Sequence, residues 1–185
     1  MQTIDVDAAA EIVAAGGLIA YPTESIYGLG CDPRNPYALT RLIELKGRDA
    51  AKGLILIAAN ETQLQGWLDP SRPEELQAAR ATWPGPVTWV MNAAPDVEPP
   101  LAKADGTIAV RIPDHEVCRR LCIACRSVLI STSANRSGQP PARTTEDVIE
   151  IFGSGVDGIV EGECGGRERP SEIRDARTGE VLRPG

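Results

Sequence analysis

Six short apolar runs set the terms for any fold of this chain: Leu18-Ile19-Ala20-Tyr21, Leu54-Ile55-Leu56-Ile57, Val87-Thr88-Trp89-Val90-Met91, Thr107-Ile108-Ala109-Val110-Arg111-Ile112, Ser127-Val128-Leu129-Ile130 and Gly158-Ile159-Val160-Glu161. Each is too short for a buried helix and has the length of a covered strand. Stretches with apolar residues at helical spacing separate them, so strands and helices alternate as in an α/β domain. Hairpin-like pieces near residues 19 to 31 and 157 to 183 predict a mixed rather than a purely parallel sheet. The length of 185 residues suits one domain over 1–185, and with only 4% aromatic residues its core must be filled by aliphatic side chains.

Capping residues mark the helix boundaries. Asp5 or Asp7 caps a helix through Ala8 to Ala15 that Gly16-Gly17 stops. Asn35-Pro36 supplies an N-cap and a first-turn proline to a helix whose apolar face is Leu39, Leu42, Ile43 and Leu45, ending at Lys46. Asn60 caps a short helix ending near Trp67, and Pro73 opens another that stops before Trp83-Pro84-Gly85-Pro86. One helix contains His115, Val117, Leu121 and Ala124; Thr144 or Thr145 caps another through Phe152, with Glu146 and Asp147 in its first turn. In the glycine-rich tail only Ser171 to Asp175 and Val181 to Arg183 are strand-like, and they are expected to wrap the sheet as short edge strands.

Composition removes several classes of function. No apolar run approaches a membrane span and the N-terminus lacks a signal-peptide pattern, so a cytoplasmic protein with no membrane partner is expected. Five scattered cysteines make a poor disulfide framework; Cys118, Cys122 and Cys125 share a helical face but read as small buried hydrophobes, and no metal site is assigned. A net charge of −7 argues against a whole surface that grips nucleic acid. Most of the 19 basic residues are arginines, which favour bidentate contact with phosphate or carboxylate.

Three polar stretches carry candidate chemistry. Lys46-Gly47-Arg48-Asp49-Ala50-Ala51-Lys52-Gly53 puts three cations and two glycines at what reads as an exposed helix-to-strand junction, the composition of a phosphate or carboxylate site. The same Lys46 and Arg48 would also complement a helix C-terminus capped by Gly47. Thr23-Glu24-Ser25 follows a strand, where α/β sheets place their ligands, and would equally form a turn with a helix-capping threonine. Ser131-Thr132-Ser133-Ala134-Asn135-Arg136-Ser137-Gly138 is a dense row of hydroxyl, amide and guanidinium groups at another strand exit; a loop stitched by its own hydrogen bonds would use the same residues. The proline-rich segment Ala93 to Asp105 reads as a loop able to fold over a site.

Taken in order, Tyr21-Pro22-Thr23-Glu24-Ser25-Ile26-Tyr27-Gly28-Leu29-Gly30, Lys46-Gly47-Arg48, Trp83-Pro84-Gly85-Pro86-Val87-Thr88, Ala109-Val110-Arg111 and the Ser131 to Gly138 row closely resemble the YrdC/TsaC family of threonylcarbamoyl-AMP synthases. The resemblance spans nearly the whole chain. It implies a single-domain twisted open mixed sheet flanked by helices, with a concave basic face. It implies formation of L-threonylcarbamoyl-AMP and pyrophosphate from L-threonine, bicarbonate and ATP, for threonylcarbamoyladenosine in tRNA. By the same resemblance Lys46 and Arg48 are catalytic, and Thr23, Arg111 and Ser171 hold threonine. Lys46, Lys52, Thr107, Ser131, Ser133, Asn135, Pro141 and Arg183 line the ATP site, with Mg2+ arriving on the nucleotide. Two departures stand out: Asp49 replaces the proline that many members carry after Lys-x-Arg, and Pro170-Ser171-Glu172-Ile173 replaces the Glu-Ser-Thr of longer relatives.

The residue types suit that chemistry. A carbamate oxygen must attack the α-phosphorus of ATP, so two anions are brought together and cations are needed more than a nucleophilic side chain. The lone His115 is then an unneeded base. A non-catalytic double-stranded RNA or tRNA-binding module of the same fold is the alternative; it would want aromatic stacking residues, which are scarce. Weak, salt-sensitive tRNA contact is expected near Lys46, Lys52, Arg111 and Arg143, or indirectly through downstream transferase proteins.

Overall fold

The computed structural model describes residues 2–47, 49 and 54–185. The strands are β1 (Thr3–Ile4), β2 (Ile19–Pro22), β3 (Tyr27–Gly30), β4 (Ile55–Ile57), β5 (Val87–Asn92), β6 (Thr107–Arg111), β7 (Leu129–Ser133), β8 (Gly158–Val160), β9 (Glu172–Asp175) and β10 (Val181–Arg183). The α-helices are α1 (Val6–Ala14), α2 (Pro36–Lys46), α3 (Pro73–Arg80), α4 (Glu116–Ala124) and α5 (Thr145–Phe152). Their starts follow local chemistry: Asp5 accepts from the Ala8 N–H at 2.8 Å, Asn35 from those of Tyr37 and Ala38, and Thr144 and Asp147 form a reciprocal capping box. Gly47 ends α2 with φ 58°, a left-handed cap for which glycine has no Cβ penalty.

The ten strands among the described residues join one sheet in the order β1-β8-β2-β3-β7-β4-β6-β5-β9-β10. It is mixed: β2 is antiparallel to β3, β3 to β7 and β7 to β4, whereas β4 runs parallel to β6 and β5 parallel to β9. Alternation of side chains along each strand divides the core in two. Ile19, Tyr21, Ile57, Leu129 and Val160 face α1 and α4, which contribute Val6, Ala9, Val13, Cys118, Leu121 and Cys122. Leu18, Ala20, Leu29, Leu56, Ile130 and Ile159 face the other way, onto α2, α3 and α5.

The structure adjusts the sequence reading at three elements. β1 was not anticipated; it is two residues long and exists by pairing Thr3 and Ile4 with Ile159 and Val160. His115 precedes α4 at its N-cap position rather than lying inside the helix. The strand expected over Ser127 to Ile130 starts later and runs on to Ser133, because β3 offers it a ladder, Gly28 opposite Ser133 and Leu29 opposite Thr132. Ser131 and Ser133 are therefore strand residues on a sheet face, not members of an exit loop.

Candidate active site

The face that α1 and α4 cover extends past them. Ile55, Ala109 and Ser131 stand side by side on it, since Ile55 pairs with both Ala109 and Ser131. There they form the floor of a pocket of about 320 Å³, with Val90 and Ile173 continuing it toward the sheet edge. Its walls come from far apart in the chain: Thr23 and Ser25 to Gly28, Lys103 on the 93–106 connection, Ser131 to Ser133, Pro141, Pro170 with Ser171, and Arg183. Gly30, one step along β3, has to be glycine, because a Cβ there would lie 2.7 Å from the Ile130 carbonyl and 2.7 Å from the Tyr21 ring.

The hydroxyls on this wall are already oriented by the acceptors to which they donate. Thr23 Oγ1 donates to the Ile26 carbonyl at 2.7 Å, and Ser133 Oγ donates to Asn135 Oδ1 at 2.6 Å. Each has one proton, so each presents lone pairs as acceptors. Ser171 Oγ lies 3.3 Å from Thr88 Oγ1 and receives Arg183 Nη2 at 3.4 Å. Tyr27 donates its hydroxyl to the Gly162 carbonyl at 2.8 Å, and burial raises its pKa, so the phenol stays neutral.

Three cations, Lys103, Arg111 and Arg183, reach the pocket, and no carboxylate lines it among the described residues. Arg183 is anchored by the Ser171 carbonyl at 2.6 Å, and its pKa is lowered first by burial and then by Arg111. With Arg111 beside Arg183, like charges share one wall, which an anionic ligand relieves. Arg111 is 8% exposed and has one carboxylate within ion-pair distance among the described residues, Glu24, at 3.6 Å.

Lys46 behaves unlike the exposed junction cation expected from the sequence. It is 2% exposed, and its ammonium donates to the Ser133 carbonyl, to the Asn135 carbonyl at 2.9 Å and to Asn135 Oδ1 at 3.3 Å. Asn135 in turn donates Nδ2 to the Arg136 and Gln139 carbonyls. The expected self-stitched loop therefore exists, with Lys46 at its centre, directly behind Ser133. Gly47 also caps α2 as expected.

Thr23, Arg111, Ser131, Ser133, Pro141, Ser171 and Arg183 are thus brought to one pocket. Lys46 and Asn135 stand behind its wall. Thr107 is not brought to the pocket: it shares the face of Ala109, but the 93–106 connection folds over it, and its hydroxyl donates to Asp105 Oδ1 at 2.6 Å. Arg48 and Lys52 lie outside the described residues. Arg143 is exposed, with Nη2 on the Glu168 carbonyl, whereas Lys46 and Arg111 are buried, so the basic patch expected at the mouth is not one surface. Sequence reasoning missed Lys103 and Tyr27 as wall residues; the signals were a lysine in a loop already expected to cover a site and a tyrosine in a polar segment.

The Sua5/YciO/YrdC family model, described as "Telomere recombination", matches residues 11–185. Threonylcarbamoyl-AMP synthase from Nitrosococcus oceani is 50% identical over 175 residues, 95% of each chain; that from Vibrio campbellii is 49% identical over 172 residues, 92% of this chain and 93% of its own. The crystal structure of P. abyssi Sua5 complexed with L-threonine superposes with a TM-score of 0.89 at 32% identity; 97% of this chain is covered, and the chain spans 54% of Sua5. E. coli YciO shares the fold, with a TM-score of 0.82 at 24% identity over 97% of this chain and 88% of its own. On the match across residues 11–185 and the half-identical relatives, this chain belongs to the Sua5/YciO/YrdC family.

Proposed function

We propose that this chain is a nucleotidyltransferase, an L-threonylcarbamoyladenylate synthase that joins L-threonine, bicarbonate and ATP and releases pyrophosphate. The observation that carries this reading is the wall of Lys103, Arg111 and Arg183, lined by no carboxylate among the described residues, beside hydroxyl acceptors at Thr23 and Ser133. Relatives of about 50% identity that bear the synthase name support it.

In this reading the Arg111 fork takes the threonine carboxylate, and Thr23 Oγ1, with its own proton committed to Ile26, accepts from the threonine hydroxyl. Ser171 closes the same end through Thr88 and Arg183. Threonine's amine and bicarbonate form a carbamate with loss of water; the carbamate oxygen then attacks the α-phosphorus and pyrophosphate departs. Arg183 and Lys103 face the nucleotide, alongside Ser131, Ser133 and Pro141, and offset charge that builds on the phosphoryl oxygens. Lys46 serves the reaction by fixing the end of β7 at Ser133 and the following Asn135, and Arg48 and Lys52 would add cations from the adjoining segment. Magnesium enters as the counter-ion of ATP. Among the described residues the pocket offers hydroxyls and no carboxylate, so a magnesium ion would arrive with ATP and would supply charge neutralisation there.

Because the product is a small adenylate, synthesis needs no tRNA; tRNA contact is weak or passes through the proteins that transfer the threonylcarbamoyl group. The deciding experiment measures pyrophosphate release with ATP and magnesium. Release that requires threonine and bicarbonate together, and proceeds equally without tRNA, is the expected result. Release indifferent to threonine would overturn the reading.

A further inference from the structure

We propose that Glu24 is the positioning residue for Arg111: its buried carboxylate sets the aim of the guanidinium and thereby the affinity for threonine. The proposal rests on the reading of Arg111 as the threonine carboxylate fork.

Glu24 is 6% exposed and lies behind the pocket wall. One oxygen, Oε1, is fixed by the Asp114 N–H at 3.1 Å, just past the end of β6, the strand that carries Arg111. Its backbone is fixed as well, since the Glu24 carbonyl accepts from Arg167 at 2.9 Å and Gly165 passes so close that a Cβ there would sit 3.1 Å from the Glu24 backbone. The carboxylate is therefore held by segments around 114 and 165 before it meets Arg111.

The contact with Arg111 is a charge contact without a hydrogen bond. Arg111 Nη2 is 3.6 Å from Glu24 Oε2, and both Oε2 and Arg111 Nε are buried without a hydrogen-bond partner among the described residues. A buried pair whose task was only structural would close into a bidentate fork, because each unmatched charged atom costs free energy. The spacing used here keeps the guanidinium oriented by Coulomb attraction while leaving its donors for a carboxylate arriving from the pocket.

The test compares threonine and ATP kinetics of wild type with Glu24→Gln, which keeps shape and the Asp114 contact but removes the charge. The expected result, on protein shown to be folded, is a threonine KM raised about tenfold with ATP KM within twofold. In an Arg111→Lys background, where no fork remains to be aimed, the same substitution moves threonine KM by less than about twofold. If Glu24→Gln fails to fold, Glu24→Asp, which keeps the charge and shortens its reach, must show the same threonine-selective loss. A threonine KM equal to wild type, threonine and ATP constants rising together, or equal effects in both backgrounds would overturn the proposal while leaving the synthase reading intact. A wild-type protein with no threonine-dependent pyrophosphate release would overturn both.

Discussion

Replacing Lys46 by Met isolates what the buried ammonium does, because methionine keeps most of the stem that packs there and deletes the donors. Three acceptors, the Ser133 and Asn135 carbonyls and Asn135 Oδ1, then lose a charged donor. Hydrogen bonds to a charged group contribute about 1.5–3 kcal/mol each. They do not add fully, since Asn135 is partly exposed and water can rebind its amide oxygen. We expect a loss of about 3 kcal/mol, and for a chain of this size each kcal/mol lowers Tm by about 2–4 °C, giving a fall of about 6–12 °C. Thermal denaturation followed by circular dichroism measures it. Pyrophosphate release, assayed at a temperature where both proteins are folded, should drop about 10²-fold, because Ser133 and the adjoining cations lose their support. A Tm within about 2 °C of wild type would refute the bracing role and return Lys46 to the status of an exposed cation.

Arg183→Met should raise the ATP KM about tenfold in steady-state assays, the effect of losing one charge-assisted contact; an unchanged ATP KM would assign Arg183 to holding Ser171 alone. Gly30→Ala should destabilise by about 2 kcal/mol in urea titrations, since the Ile130 carbonyl that meets the new methyl is backbone in the neighbouring strand and cannot swing aside. Asp175, hydrogen-bonded by Arg177 at 2.6 Å, has its pKa lowered by that partner despite burial. Its contribution to stability is therefore present above the ordinary carboxylate value near 4 and is lost as pH falls through the depressed folded value. Asp175→Asn should melt below wild type at pH 7, with the gap closing below about pH 4.

The sequence announced helix starts well because caps are local: Asn35, Thr144 and Asp5 each bond within three residues of themselves. It announced six strands through apolar runs, and it marked the two tail pieces that form β9 and β10 as strand-like. It misjudged what distant partners decide. Lys46 looks solvated beside its neighbours, and only carbonyls 87 and 89 residues away make it buried. The polar Ser131-Thr132-Ser133 reads as loop until β3 pairs with it. Thr107, which the resemblance places at the nucleotide, lies under the fold of Lys103 to Gly106, and spacing alone does not reveal that cover. The Glu24 contact with Asp114, 90 residues apart, left no local signal at all.

The ladder that links β1 and β2 to β8 pairs Thr3 with Ile159 and Ile19 with Gly158, so the ends of the fold meet across most of the chain's length. Closing loops of that span costs entropy before any contact repays it, and the cost grows with the logarithm of the span. Chains dominated by such distant pairings fold slowly, in milliseconds to seconds. The pocket inherits this timetable, since its walls come from residues near 23, 55, 109, 131 and 171. No early, partly folded species can hold a workable fraction of them, so during refolding the capacity to bind ligand should emerge together with the slowest structural phase and never ahead of it.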